Sequence, residues 1–134
     1  MKFVAIREHH LYNKAYRQGG RATGACIAVY VLRDLAAKRL MKAHPQKRYV
    51  NRIGLSVTKK IGGACVRTRA KRIIREAYRA VESERPLKTG YLVVIAARPS
   101  IVGKKTQDVA GELRVAFDRL GFYADAPRPS GKPS

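Results

Sequence analysis

The sequence predicts an α+β fold, an α/β sandwich around one small central sheet. Two kinds of observation carry that expectation, three strand signals and three helical ones. One stretch is rich in β-formers, one alternates with period two, and one is a continuous apolar run of seven. Three longer stretches place apolar residues at helical spacing. The order is helix, strand, strand, a further short strand in or near a long connection, helix, strand, helix. Interleaving of this kind sets helices against a single sheet. The 134 residues suit one domain, expected over residues 1–125.

The first helix is expected from about Arg7 to Gln18, closed by Gly19-Gly20. Tyr12 and Tyr16, four apart, share a face with Leu11 and Ala15 beside them. His9-His10 fits a solvated helix start. Cys26–Leu32 reads as a strand, with Ile27, Val29 and Val31 pointing one way and Cys26, Ala28, Tyr30 and Leu32 the other. The polar, basic stretch 33–48 is a connection. Residues 35–41 suggest a short helical turn or two before His44-Pro45, and 46–50 is one place for the third short strand. From Arg52 to Thr58, Ile53, Leu55 and Val57 alternate with Gly54, Ser56 and Thr58. The basic turn Lys59–Gly63 leads into a long helix from Ala64 or Val66 to Val81. Tyr91–Ala97 reads as a strand buried on both faces and ended by Arg98-Pro99-Ser100. The last helix is expected from about Gln107 to Leu120. Its stripe is Val109, Leu113, Ala116, Phe117 and Leu120, and Gly121 is its stop. The Pro-rich segment 126–134 is expected to be a disordered tail.

Charge limits the function. Lys and Arg number 29 against nine acids, a formal net charge of +20. That much like charge repels itself in a compact state, and a polyanion relieves it. Nucleic acid suits best, because neutralising its repeated phosphates releases counterions. No apolar run approaches the length of a membrane span, and the first residues lack a signal-peptide stretch. No membrane partner is expected, and the setting is expected to be cytoplasmic. Cys26 and Cys65 read as two small, reduced, buried apolar side chains, and no Cys/His spacing suggests a metal site. A nuclease acting alone needs carboxylates gathered around metal ions or an acid/base pair. Asp34, Asp108, Asp118 and Asp125 are scattered, and His9, His10 and His44 form no nucleolytic pattern. No catalytic residue and no metal ligand is assigned.

The long helix is the most informative element. At about 100° per residue, Val66, Ala70, Ile73, Ile74, Ala77 and Val81 fall within an arc of roughly 100°. Arg67, Lys71, Arg72, Arg75 and Arg79 gather on another arc. Arg67, Lys71, Arg75 and Arg79 stand four apart in succession, a spacing that destabilises an isolated helix by a few tenths of a kcal/mol per pair. A helix shaped only for solubility interleaves Glu with Lys. This one does not, and it favours Arg, whose guanidinium grips phosphate bidentately. A solvated face on a basic protein is the plain competing reading. A membrane-surface helix fits less well, since the apolar face is small and has no Trp or Phe anchor.

The run from Lys59 to Arg79, with Lys59-Lys60, Gly62, Ala64, Arg67-Thr68-Arg69, Lys71-Arg72 and Arg75-Glu76, resembles the signature of the bacterial ribonuclease P protein family. Thr68 stands where that family usually has Asn; a hydroxyl remains but the second amide donor is lost. Arg52–Lys60 resembles the family's preceding strand, Tyr91–Ala97 the strand that follows, and the Tyr12/Tyr16 helix and Tyr30 also match. The likeness spans about Ile6 to Leu120, with a connection at 33–49 longer than usual.

The resemblance implies a protein subunit of a ribonucleoprotein endonuclease. The catalytic centre lies in the RNA subunit, which uses Mg²⁺, and no cofactor is expected to be held tightly by the protein. The implied partners are ribonuclease P RNA and precursor tRNA, with no obligate protein partner. Lys59, Lys60, Arg67, Thr68, Arg69, Lys71, Arg72, Arg75 and Arg79 are the expected contacts to the catalytic RNA. Tyr12, Tyr16 and Tyr30, with Lys14, are the expected contacts to the single-stranded 5′ leader. Aromatic stacking suits a leader of variable sequence, because every base has a π-face. A core-edge position with a satisfied hydroxyl is the competing reading for each tyrosine. The family fold carries a left-handed βαβ crossover, against the right-handed connection that chain physics favours. The competing functions are a general RNA-binding or ribosomal-type protein with no role in tRNA processing, and a self-contained nuclease.

Overall fold

A computed structural model of the chain describes residues 3–6, 9–34, 39, 42–43 and 51–124. The elements run β1 (Phe3–Ala5), α1 (His9–Gln18), β2 (Gly20–Thr23), β3 (Ile27–Arg33), β4 (Asn51–Ser56), α2 (Ala64–Glu84), β5 (Tyr91–Ala97) and α3 (Thr106–Leu120), with a 3-10 turn at Pro99–Ile101. One five-stranded sheet has the order β1-β4-β5-β3-β2. β1, β4 and β5 are parallel neighbours, so β4–α2–β5 is a βαβ crossover. β3 pairs antiparallel with β5, and β2 antiparallel with β3.

The sheet has two cores because its central strand is apolar on both sides. Val29, Ile53, Val93 and Ile95 face Ile73, Ile74, Ala77 and Val81 of α2 and Val109, Leu113 and Phe117 of α3. Leu92 and Val94 face the other way, onto Ile6 and Ala15, with Leu11, Tyr12, Tyr30 and Leu32 around them. Burying one such side chain contributes about 1.5–3 kcal/mol, so β5 anchors both layers. α3 ends as expected, with Gly121 in the left-handed region.

Two polar devices hold the sheet's other end. Asn51 is buried; its amide donates to the Lys88 carbonyl at 2.9 Å and its carbonyl accepts the Tyr91 amide at 3.1 Å. Arg52 makes a fork to Asp34, Nε to Oδ2 at 2.7 Å and Nη2 to Oδ1 at 2.8 Å, with both residues buried. Asp34 is thus not the isolated acid that its place in the sequence suggests.

Several expectations need correction. β1 and β2 carry no sequence signal of their own. Three residues are too few for a period, and Gly-Arg-Ala-Thr is a poor strand former that exists through its hairpin pairing to β3. β4 stops at Ser56, leaving Val57 and Thr58 beyond it. Cys65 is exposed, not buried; only Cys26 is a core thiol. Val66 is 37% exposed because it lies in the first turn of α2, while Tyr78 takes a fully buried place on the stripe. The strand considered at 46–50, the tail 126–134, the helix start at Arg7-Glu8 and most of the turn at 35–41 lie outside the described residues.

Candidate nucleic-acid interface

The long helix divides its basic residues by exposure. Thr68, Arg69, Arg72, Arg75 and Arg79 are exposed, and so are Lys59 and Lys60 in the preceding turn. Arg67 and Lys71 are only partly exposed, because Tyr78 brings the buried stripe to within about 20° of them around the helix axis. Arg67 is also engaged: its Nε donates to the Gly62 carbonyl at 3.2 Å. The free arc is therefore Thr68, Arg72, Arg75 and Arg79, with Arg69 at its edge. Glu76, the single acid within the motif, accepts a hydrogen bond from Thr106 Oγ1 at 3.1 Å and is tied to the start of α3.

The turn before α2 depends on Gly62. Its φ is 153°, and a Cβ there would meet the Val66 side chain at 3.0 Å. Glycine lets the chain fold back tightly, so that Lys59 and Lys60 stand at the helix entrance.

The tyrosines lie on the opposite face of the sheet, beside α1. Tyr16 and Tyr30 meet edge to face, with ring centroids 4.9 Å apart, and Tyr16 is 38% exposed. Tyr12 lies over the sheet at Gly54, where a Cβ would come within 2.6 Å of its ring. Burial pushes the Tyr12 hydroxyl above its ordinary range, and neighbouring Tyr16 adds to this, while a hydrogen bond to the Leu55 backbone opposes it. Register sets Arg21, Tyr30, Val94 and Gly54 in one row across β2, β3, β5 and β4. Residues directly opposite share a face, so exposed Arg21 stands beside Tyr30. Lys14 leaves α1 about 160° from Tyr16 and so projects from the other flank of the helix. Arg21 had no signal in the sequence, because only the β2–β3 pairing places it there. The next row, Thr23, Ala28, Ala96 and Ser56, is built of small side chains and continues the floor.

Chemically, one face offers an arginine arc without free carboxylates. The other offers aromatic edges over a shallow floor. Among the described residues no group of three His, Cys, Asp or Glu side chains could hold a metal ion, and no helix is long and apolar enough to cross a membrane. Such a protein is a small, basic α/β sandwich whose surfaces suit a polyanion. The family model described as Ribonuclease P matches residues 1–121, and the chain belongs to that family, the protein subunits of ribonuclease P. It is 34% identical over 122 residues to the ribonuclease P protein component of Clostridium acetobutylicum, covering 91% of this chain and 92% of that one. Its fold is similar to that of the RNase P protein of Staphylococcus aureus, with a TM-score of 0.66, 21% identity and coverage of 89% and 96%. The Thermotoga maritima RNase P protein is also similar in fold, with a TM-score of 0.62, 18% identity and coverage of 83% and 92%.

Proposed function

We propose that this chain assists an RNA catalyst in removing the 5′ leader of precursor tRNA, binding the catalytic RNA with α2 and the leader with the tyrosine face. The observation that carries the reading is the separation of two unlike surfaces by one sheet. The exposed arc of Arg72, Arg75 and Arg79, with Thr68, Arg69, Lys59 and Lys60, suits the phosphates of a folded RNA. Arg67 and Lys71 support it from the edge of the core. Tyr12, Tyr16 and Tyr30 suit unpaired bases, with Arg21, opposite Tyr30 in the register, and Lys14 of α1 as the neighbouring cations. The chemistry of hydrolysis, and the Mg²⁺ it uses, belong to the RNA, and the protein contributes binding and alignment. The left-handed sense of the β4–α2–β5 crossover, the cytoplasmic setting and the lack of an obligate protein partner are part of the same reading.

The test is reconstitution with ribonuclease P RNA at low Mg²⁺. Protein with RNA should cleave precursor tRNA, and RNA-free protein should not. Robust cleavage by protein purified free of RNA would favour a nuclease acting alone. Equal affinity for ribonuclease P RNA and an unrelated folded RNA would favour a general RNA-binding protein.

A further inference from the structure

α2 and α3 are aligned in parallel, and α3 starts late. Thr106 meets Glu76, and Arg114 forks onto Glu84 with Nε–Oε1 at 2.9 Å and Nη2–Oε2 at 2.7 Å; both contacts join residues thirty apart. The level of Thr106 on α2 is therefore Glu76. Ala64 to Arg75 overhang α3 by about 18 Å at 1.5 Å per residue. The chain that comes up to the start of α3 beside this overhang is the 98–105 loop. It is pinned at its base by Arg98 N–H to Cys26 O at 2.9 Å and by Ser100 Oγ to Ala25 O at 2.6 Å.

A notch results, with α2 on one side and the loop on the other. Seven and four residues before Glu76, Arg69 and Arg72 lie on the flank of α2 that turns toward α3. Lys104 and Lys105 immediately precede Thr106. All four side chains are exposed. Between residues 57 and 75, and again between 98 and 107, there is no acid. The two acids that border the notch are engaged: Glu76 by Thr106, and Asp108 by the Lys105 backbone amide at 2.9 Å. Four exposed cations on two elements thus flank the start of α3, and the carboxylates beside them, Glu76 and Asp108, are already held by a hydroxyl and a backbone amide. A solvated face has no need of this arrangement, and like charges so placed repel.

We propose that the 98–105 loop is the second wall of the RNA interface, and that Lys104 and Lys105 hold backbone phosphates of the folded catalytic RNA jointly with Arg69 and Arg72. The inference rests on the ribonuclease P reading and extends it to a loop outside the motif. Two walls of cations some turns apart suit a folded backbone with phosphates on two sides. The notch lies on the α2/α3 side of the sheet, away from Tyr12, Tyr16 and Tyr30, so it serves the RNA subunit and not the leader.

The test compares three proteins across a salt series: wild type, Lys104→Gln/Lys105→Gln, and the control Arg17→Gln/Arg119→Gln, which removes two exposed cations elsewhere. Circular dichroism checks that each is folded. Affinity is measured for ribonuclease P RNA, and separately for leadered and leaderless precursor in the reconstituted complex. Losing two phosphate contacts should lower the salt slope by about 1.4–1.8. The advantage of wild type over the lysine variant should shrink by about ten-fold between roughly 50 and 200 mM salt, with the control close to wild type. The affinity gained from the leader should not change. Parallel slopes for wild type and the lysine variant, or an equal loss in the control, would overturn the notch assignment while leaving the α2 reading intact. Wild type with no preference for ribonuclease P RNA would overturn the parent reading, and this one with it.

Discussion

Replacing Gly54 with Ala tests whether Tyr12 serves the leader without touching Tyr12 itself. The new Cβ would lie 2.6 Å from Tyr12 Cζ and 2.6 Å from its hydroxyl oxygen. Carbon atoms in good contact stand about 3.5–4.0 Å apart, so the ring has to retreat by about 1 Å or swing off the sheet. The β4 backbone accepts Ala without strain, and Tyr12 is only partly buried. The fold should therefore survive, with a stability loss near the low end of overpacking, about 1 kcal/mol. If a leader base stacks on Tyr12, displacement should cost about 1–3 kcal/mol, or about five- to 150-fold in affinity. The assay is binding of leadered and leaderless precursor to the reconstituted complex. Leadered substrate should weaken and leaderless substrate should not. A cycle with Tyr12→Ala sharpens the result, because Gly54→Ala should add nothing once the ring is absent. A folded Gly54→Ala protein with its leader preference intact would refute the placement of a base on Tyr12.

Changing Arg72, Arg75 and Arg79 together to Gln should leave thermal unfolding unaltered and lower the salt slope for ribonuclease P RNA by roughly two to three; parallel slopes would return the arc to a merely solvated face. Asp34→Ala removes the carboxylate that forks onto the buried Arg52 guanidinium and should cost about 3–5 kcal/mol, read by thermal or chemical unfolding, whereas Asp34→Leu with Arg52→Met should recover most of it. Alkylation at about pH 8 followed by mass spectrometry should mark exposed Cys65 and spare Cys26 until the protein is unfolded. Burial and the Glu112 carboxylate push the Cys26 thiol up to about 12 from 9.0. The unfolded chain then loses that proton first, so stability should fall as pH rises from 9 toward 12. In Cys26→Ala the decline should begin later, where the raised hydroxyls of Tyr12, Tyr78 and Tyr123 start to titrate in the unfolded chain near 10.

What was legible in the sequence was what repeats locally. Helical spacing gave α2 and α3 within a residue or three of their ends, and the seven apolar residues of β5 announced a strand buried twice. β1 and β2 were not legible, because their stability comes from partners distant in sequence or across a hairpin. The α2 motif could be read directly. Its free part could not, since exposure of Arg67 and Lys71 depends on Tyr78, whose ring is drawn into the core against Phe117 at 6.2 Å. Arg21, Gly54 and the Lys104–Lys105 wall were invisible for one reason. Each acquires its neighbour through sheet register or helix alignment, and neither has a period.

The Asp34–Arg52 fork also bears on what the chain tolerates. The two residues bracket the connection at its two ends, and Asp34 reaches across the start of β5, its amide donating to Gly90 O at 3.0 Å. β3 and β4 are separated by one strand, so the gap to be closed there is about 10 Å, far less than the intervening chain can span. With Asp34 and Arg52 stapled together, the register of the sheet at these two ends does not depend on how long the stretch between them is. Lengthening it costs only the logarithm of its size, about 0.6 kcal/mol per doubling. An insert between Asp34 and Arg52 should therefore leave the pairing of β3, β5 and β4 as it is.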